Sequence, residues 1–511
     1  MKTLLRIIAF LSVVAALIVG GLVLTGRKDL LLGEETAVVT PPPPPAATPL
    51  PTPPPVIKMA PLPVTLPMLD ALLQLDETFP QELKTRASLT DEQIAQLKTL
   101  AHEETGKLRE DESGESTTTT EAAGELATQK LTELVGAEKA RLISDLTLER
   151  LRSGLENDLA LAAPGPSPSG SETPLPMPST TPAETSIPPM SAAIPGASPS
   201  PSPAASSAYN IPLDTRIVVN APAYRMDVFQ NGQLLKSYKI GIGYPEFPLP
   251  DGMRKASSII FNPTWTPPDE PWVEASKKVK VGQKVAAGDA LNPLGVIKIP
   301  IGMPSLIHGG KQPARIGAFA SHGCVGMTNK QVQEFTKYLA QVGGADLTEE
   351  QIAAYEKTPT QTKVVKLKQT VPVEFRYDTI VVSDGALHIY RDVYDRDTNT
   401  EENLRSVLEA NGVTMNDLTV KEKAEALKII DLMSAHPSGS AADANLTEAE
   451  KKAKKAKNIE AQKLTASVKG KKEVVIPIAA LAGKGYPAPV DLNTGAPPAK
   501  PKATAPAKKK K

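Results

Sequence analysis

From residue 211 onward apolar and polar positions alternate with the period of two expected of half-buried β-strands. In RIVVNAPAYRMDVFQNGQLLKSYKIGIG, Tyr224, Met226 and Val228 fall on one face, and Leu234, Lys236, Tyr238 and Ile240 return as the partner strand. Between them Asn231-Gly232 supplies the residue pair that a type I′ turn demands, so a β-hairpin is predicted. Short strands continue through SSIIFN, GVIKIPI and TIVVSDGALHIYRDVY, where Asp384-Gly385 marks a second hairpin turn. One helix interrupts the strands: TNKQVQEFTKYLAQVGG carries Val332, Phe335, Leu339 and Val342 on one stripe, with Thr328 as N-cap and Gly343 as C-cap. The expected fold class for residues 211–400 is therefore mainly β, with two helices (NTEENLRSVLEANG and TVKEKAEALKIIDLMSA) packing at its edge as a 401–437 extension.

Upstream the pattern changes. Lys2 and Arg6 precede an uncharged run from Ile7 to Thr25, close to the ~20 apolar residues that span a bilayer core. It lacks an A-x-A-like exit, so residues 1–28 read as an uncleaved membrane anchor, with a cleaved signal sequence as the alternative. Residues 29–67 contain TPPPPPAATPLPTPPP, a stiff polyproline II spacer with a reach of about 85 Å over residues 40–67 at ~3.1 Å each. Residues 68–163 place leucine and isoleucine at helical spacing in LTDEQIAQLKTLAHEETGKL and LTELVGAEKARLISDLTLERLRSGL, which reads as a small helical hairpin with Thr90 as an N-cap. A Pro/Ser/Ala linker, expected to be disordered, covers 164–210. Residues 438–511 are rich in lysine and poor in apolar residues, and are expected to form a disordered tail that either solubilises the chain or attaches it to an anionic surface.

Composition sharpens one point. The 57 basic and 57 acidic residues cancel, so net charge carries no functional message, and 50 prolines in 511 residues agree with one packed domain bearing long appendages. The single cysteine is the informative count. It excludes an intramolecular disulfide, and no cysteine follows the apolar run to take a lipid. In a chain that passes a membrane, a lone thiol is an oxidation liability unless it is buried or used. Cys324 sits in SLIHGGKQPARIGAFASHGCVGM, bracketed by Gly323 and Gly326, next to His322 and sixteen residues after His308. A thiol needs a neighbouring base or a helix N-terminus to act as a nucleophile, and this stretch offers both. Two other readings stay open: an inert buried cysteine, and a zinc site from His308, His322 and Cys324, for which no CxxC or HExxH pattern is present. His102, His388 and His436 have no partner in sequence and receive no catalytic role.

The stretch IHGGKQPARIGAFASHGCVGM resembles the H-G…S-H-G-C signature of the L,D-transpeptidases, the YkuD-type catalytic domain of bacterial cell-wall enzymes. GIGYPEFPLPDG at 241–252, NPTWTPP at 262–268 and NPLG at 292–295 are similar to blocks of the periplasmic subgroup, so the resemblance covers about residues 211–395. It implies a β-sandwich-like catalytic domain that acts on peptidoglycan stem peptides without a cofactor or metal, placed in the cell envelope. It implies Cys324 as nucleophile and His308 as the base, oriented by the Gly309 carbonyl. His322 and Gly323 would shape the oxyanion pocket, with Ser321 in support. The membrane would be met through residues 7–25 and anionic cell-wall polymers through the lysine-rich tail; no nucleic-acid partner is expected. Two positions depart from the family pattern. Gly326 stands where many members have an arginine, so any substrate-carboxylate contact is absent or supplied by Arg315 or Lys311, and Leu249 stands in LPDG where many have threonine. An L,D-carboxypeptidase that uses water as acceptor, and a non-catalytic peptidoglycan-binding protein, remain alternatives.

Overall fold

The computed structural model describes residues 57–107, 118–153, 211–269, 273, 278–302, 304–434 and 470–496. The apolar run 7–25, the 164–210 linker, His436 and most of the lysine-rich tail lie outside the described residues. Among the described residues no helix is long and apolar enough to cross a membrane.

The centre is an eight-stranded sheet. Its strands are β1 (Arg216–Asn220), β2 (Arg225–Gln230), β3 (Gln233–Lys239), β5 (Gly252–Phe261), β6 (Ile297–Pro300), β7 (Leu306–His308), β9 (Val325–Gly326) and β10 (Lys363–Arg376), and they run in the order β3-β2-β1-β10-β5-β6-β7-β9. A two-stranded parallel pair, β4 (Ile242–Gly243) with β8 (Phe319–Ser321), sits beside it. The β2–β3 hairpin forms as the pattern predicts, with Met226 opposite Tyr238 and Val228 opposite Lys236. Its turn residues Asn231 and Gly232 have φ of 50° and 79°, the left-handed values of a type I′ turn. Tyr224 departs from the expected strand: at φ 49° it turns the chain just ahead of β2. The 14-residue β10, unmarked in the sequence reading, pairs parallel with β1 and antiparallel with β5. Its register slips between Lys366 and Val371, a bulge that curls the sheet.

Helix α6 (Asn329–Val342) packs on the sheet by the expected stripe, with Val332, Phe335, Leu339 and Val342 all buried. Thr328 caps it through a reciprocal pair with Gln331, and the C-cap is Gly343. A second, shorter helix, α7 (Glu349–Glu356), follows.

The helical region departs from a simple hairpin. Among the described residues five helices are present: α1 (Leu66–Leu75), α2 (Phe79–Arg86), α3 (Asp91–Thr105), α4 (Thr120–Val135) and α5 (Ala137–Ser153). Thr90 caps α3 in a capping box with Gln93, and Gly136 at φ 84° breaks the second apolar pattern into α4 and α5. Their apolar faces do not close only on one another. Leu69, Leu72, Leu97 and Ile143 belong to the same buried cluster as Ile259, Ile299 and Val373 of the sheet. His102 finds a carboxylate partner in the buried Asp70, 3.7 Å away. The spacer boundary shifts as well, since α1 begins at Leu66 with Pro67 in its first turn, where a missing N–H is harmless. Before it, Ala60 exchanges backbone and side-chain hydrogen bonds with Arg396 at 2.9 and 3.0 Å. Proline-rich composition fixes φ, but the carbonyls and intervening N–H groups are still there to be captured by a folded partner.

The C-terminal boundary is corrected in the same way. Strands β11 (Ile380–Ser383) and β12 (Ala386–Tyr390) form a separate sheet, and its third strand, β13 (Glu473–Pro477), comes from the tail expected to be disordered. With α8 (Glu401–Ala410) and α9 (Val420–Ser434) they enclose a core of their own, which includes Leu387, Leu404, Ile430 and Ile476. Farther on, Asn493 pairs with the outer edge of β3: its N–H donates to Ser237 O at 3.0 Å and its carbonyl accepts from Lys239 N at 2.9 Å. The lysines flanking EVVIP lower the average hydrophobicity and hide a β-branched run, which then covers the edge of β12. His388 on β12 meets Glu473 on β13 at 2.7 Å, a structural cross-strand pair.

Tyr486 tests whether this tail is integral. Its ring lies edge-on against Phe229, with centroids 5.8 Å apart, and its hydroxyl donates to Asp227 Oδ2 at 3.0 Å in the buried interior. Tyr486→Phe should cost about 1.5–3 kcal/mol, the worth of a hydrogen bond to a buried charged group. Urea unfolding measures this, and an unchanged midpoint would mean that the tail does not contribute to the cooperative unit.

Candidate active site

His308 closes β7, and the register of three strands fixes its surroundings. Across β6 it faces Lys298; across β9, which runs parallel to β7, it faces Gly326. Residues paired across a ladder share a face, and so do residues two apart on one strand. Gly326 is thus on the face of His308, and Cys324 stands two residues before it, in the turn that leads into β9. The ladder that sets β9 against β7 holds at only two positions, Ile307 with Val325 and His308 with Gly326.

The histidine tautomer follows from its contact. Nδ1 lies 2.7 Å from Gly309 O, and because a carbonyl can only accept, Nδ1 carries the proton and Nε2 keeps its lone pair. His308 is buried, and this burial, reinforced by the positive charges of Lys311 and Lys298, pushes its pKa down to about 3 against a weaker upward pull from the Gly309 contact. His322 is held at about 3 by burial first and Lys311 second. Both imidazoles are neutral at pH 7.

The turn carrying the thiol is clamped by its own residues. Ser321 Oγ donates to Cys324 O at 2.5 Å and accepts from Cys324 N at 3.1 Å. Gly323 within that turn has φ 83°, a conformation that favours glycine. Cys324 itself is partly buried, and the chain runs from it through β9 to the N-cap of α6. The His322 ring is walled by Phe247, edge-on at 4.7 Å between centroids, and by Tyr244 at 5.5 Å. Both rings come from the segment that follows Gly241, which exchanges backbone hydrogen bonds with Gly326 at 2.8 and 2.9 Å.

Sequence reasoning missed Asn329. Its Oδ1 accepts from Gly310 N at 2.8 Å and from Val296 N at 3.2 Å, tying the turn after His308 to the NPLG block. A Cβ on Gly295 or Gly309 would stand 2.2 or 2.6 Å from that oxygen, which is why both positions are glycine. The only sequence signal was its place just after a helix cap, which reads as surface. NPTWTPP has a comparable explanation, because Asn262, at φ 47°, donates to the carbonyls of Tyr355 and Thr358 at 2.9 and 3.0 Å and fixes the loop after α7. Among the described residues no group of three or more His, Cys, Asp or Glu side chains is placed to hold a metal ion.

A mainly β domain in which the strand ending at His308 pairs with the strand that follows the cysteine turn defines the scaffold, and comparison gives that domain a family. Residues 214–373 match the YkuD family, the L,D-transpeptidase catalytic domain, so the chain contains such a domain. Solved structures similar to it include the Ldtfm–avibactam carbamoyl enzyme, at 15% identity over 32% of this chain and 49% of that one, with a TM-score of 0.21. The catalytic domain of the E. faecium L,D-transpeptidase is similar at 17% identity over 32% and 98%, TM-score 0.21, and an L,D-transpeptidase from Mycobacterium smegmatis at 15% over 32% and 58%, TM-score 0.20. The chain thus spans about half the length of the first of these. No curated protein matches.

Burial of a neutral imidazole makes stability depend on pH. Unfolded, His308 takes a proton as pH falls through about 6.5; folded, it resists protonation down to about 3. The unfolded state therefore binds more protons between those values, and stability falls with pH, by roughly 2 kcal/mol for this group between pH 7 and pH 5. His308→Gln should remove that part of the decline, as measured by urea unfolding at the two pH values. Equal losses in both proteins would mean that His308 ionises normally in the fold.

Proposed function

We propose that this protein is a peptidoglycan L,D-transpeptidase that works through a Cys324 acyl-enzyme. The observation that carries the reading is the β7–β9 register, which pairs His308, its Nδ1 on Gly309 O, with Gly326, two residues after Cys324, inside residues that match the YkuD family. Cys324 Sγ attacks the carbonyl carbon of the amide between the L-centre of a diamino acid and D-alanine in a stem peptide, while its proton passes to His308 Nε2. The oxyanion so formed rests against the turn around His322 and Gly323, which Ser321 holds in shape. Collapse breaks the C–N bond, the proton moves from His308 to the leaving amine, and D-alanine departs from a thioester. An acceptor amine then attacks that thioester, gives its proton to the imidazole and restores the thiol with a new cross-link. In this reading residues 7–25 hold the chain at the inner membrane, the catalytic domain lies in the periplasm, and the lysine-rich tail meets anionic cell-wall polymers.

The test is incubation of the full chain with tetrapeptide-bearing muropeptides, followed by mass spectrometry of protein and products. The expected result is an adduct on Cys324 equal to the donor less D-alanine, together with cross-linked dimers. Tripeptides in place of dimers would make water the acceptor. Cys324→Ala should abolish the adduct, and His308→Gln should slow its formation by about 10³-fold or more. His322→Gln should slow it by about 10²–10³-fold, the usual effect of a lost oxyanion partner, while leaving alkylation of the thiol by iodoacetamide nearly unchanged. A folded wild-type protein that forms no adduct would leave the non-catalytic binding reading in possession.

A further inference from the structure

Two cations stand near the thiol turn, and they are placed differently. Arg315 donates to the Tyr244 hydroxyl and stacks its guanidinium 5.8 Å from that ring's centroid, so its fork is engaged on the wall of the His322 pocket. Lys311 is aimed by the backbone instead. Its N–H donates to Met327 O at 3.0 Å, and its stem runs across the α-carbon of Gly326, where a Cβ would come within 2.9 Å of Cγ and 3.1 Å of Cε. A side chain at position 326 and this path of Lys311 exclude each other, so glycine is what lets the lysine through.

That path crosses β9 at Gly326. Gly326 pairs with His308 and lies two residues from Cys324, and the charge of Lys311 is felt at both His308 and His322. A stem already packed along its length gives up less conformational entropy when its ammonium engages a ligand. The group of a peptide that matches a confined ammonium is a carboxylate, with which it makes a charge-assisted hydrogen bond.

Resting on the transpeptidase reading above, we propose that Lys311 forms a carboxylate-binding subsite for the acyl donor, its ammonium reaching across Gly326 to take a free carboxylate of the stem peptide next to Cys324. Two carboxylates of the donor have this chemistry: that of the terminal D-alanine, one residue from the bond to be broken, and the one on the side chain of the diamino acid.

The experiment compares wild type, Lys311→Met and Lys311→Arg in the full chain. Met keeps the stem without the charge, and Arg restores a cation. Each is given the native tetrapeptide donor, the donor amidated at the terminal D-alanine and the donor amidated at the diamino-acid side chain. The readout is kcat and KM for release of D-alanine or its amide, with iodoacetamide alkylation of Cys324 as a separate measure of thiol reactivity. Lys311→Met should raise KM for the native donor by about 10- to 100-fold, as expected for loss of a charge-assisted contact. One amidated donor should already be that poor for wild type and lose little more in Lys311→Met, which identifies the carboxylate. Lys311→Arg should recover part of the loss. If Lys311→Met slows all three donors equally, and alkylation with them, the lysine acts only on the ionisation of the site and the subsite is refuted. Unchanged kinetics would refute it too. A wild-type protein acylated by none of the donors would overturn the underlying transpeptidase reading, and the subsite with it.

Discussion

The arrangement of this domain depends on a short parallel ladder between β7 and β9. A slip of one residue would take Gly326 out of its pairing with His308 and displace the turn that carries Cys324. Two paired positions are a weak lock by themselves. They are reinforced from both sides: Gly241 pairs with Gly326 at the outer edge, while Met327 N donates to His308 O at 2.9 Å and Lys311 N returns to Met327 O. Gly326 lies between these contacts. With Ala320 and Arg315 O crowding the α-carbon of its partner Gly241, neither of the two positions has room for a larger residue without displacing a neighbour.

The flanking regions read as braces for that ladder and its pocket. The loop that supplies Tyr244 and Phe247 is held by the N-terminal helices, where Thr65 Oγ1 donates to Glu246 O at 2.5 Å, and by the C-terminal part, where Arg396 bonds Asp251 at 2.9 Å and Tyr394 Oη donates to Gly243 O at 3.0 Å. The segment between His308 and Ser321 is braced by the tail, since Lys472 donates to Gly317 O. The helices, the small C-terminal sheet and the tail therefore act on the same walls. A site of this kind needs its loops fixed to within a fraction of an ångström if donors are to be aimed at a developing charge.

Much of the sheet was legible because its signals are local. Asn231-Gly232 and Asp384-Gly385 announce their turns through the φ values they tolerate, and Thr328 with Gln331 announces a helix start through hydrogen bonds that span three residues. Strand β10 was hidden because Pro372 and a bulge interrupt its alternation, and only its neighbours β1 and β5 make it a strand. The tail strand β13 was hidden by the lysines around it. The site divides in the same way. Cys324, His308 and their glycines are visible as an unusual chemical cluster, whereas Asn329 is an ordinary polar residue whose meaning lies in two N–H groups that come from distant parts of the chain.

The charges of the site favour one protonation history over another. Burial and Lys311, which depress both histidines, disfavour an imidazolium, while the same positive charge favours a thiolate or an oxyanion nearby. A resting thiolate–imidazolium pair is therefore not the ground state this geometry prefers. In the proposed transpeptidase reaction the proton on His308 would be best held only while negative charge exists on the bound acyl group beside it, and would be driven off to the leaving amine as that charge collapses. In that proposed reaction the depressed pKa makes His308 a poor proton store, and so a good proton donor at the moment the C–N bond would break.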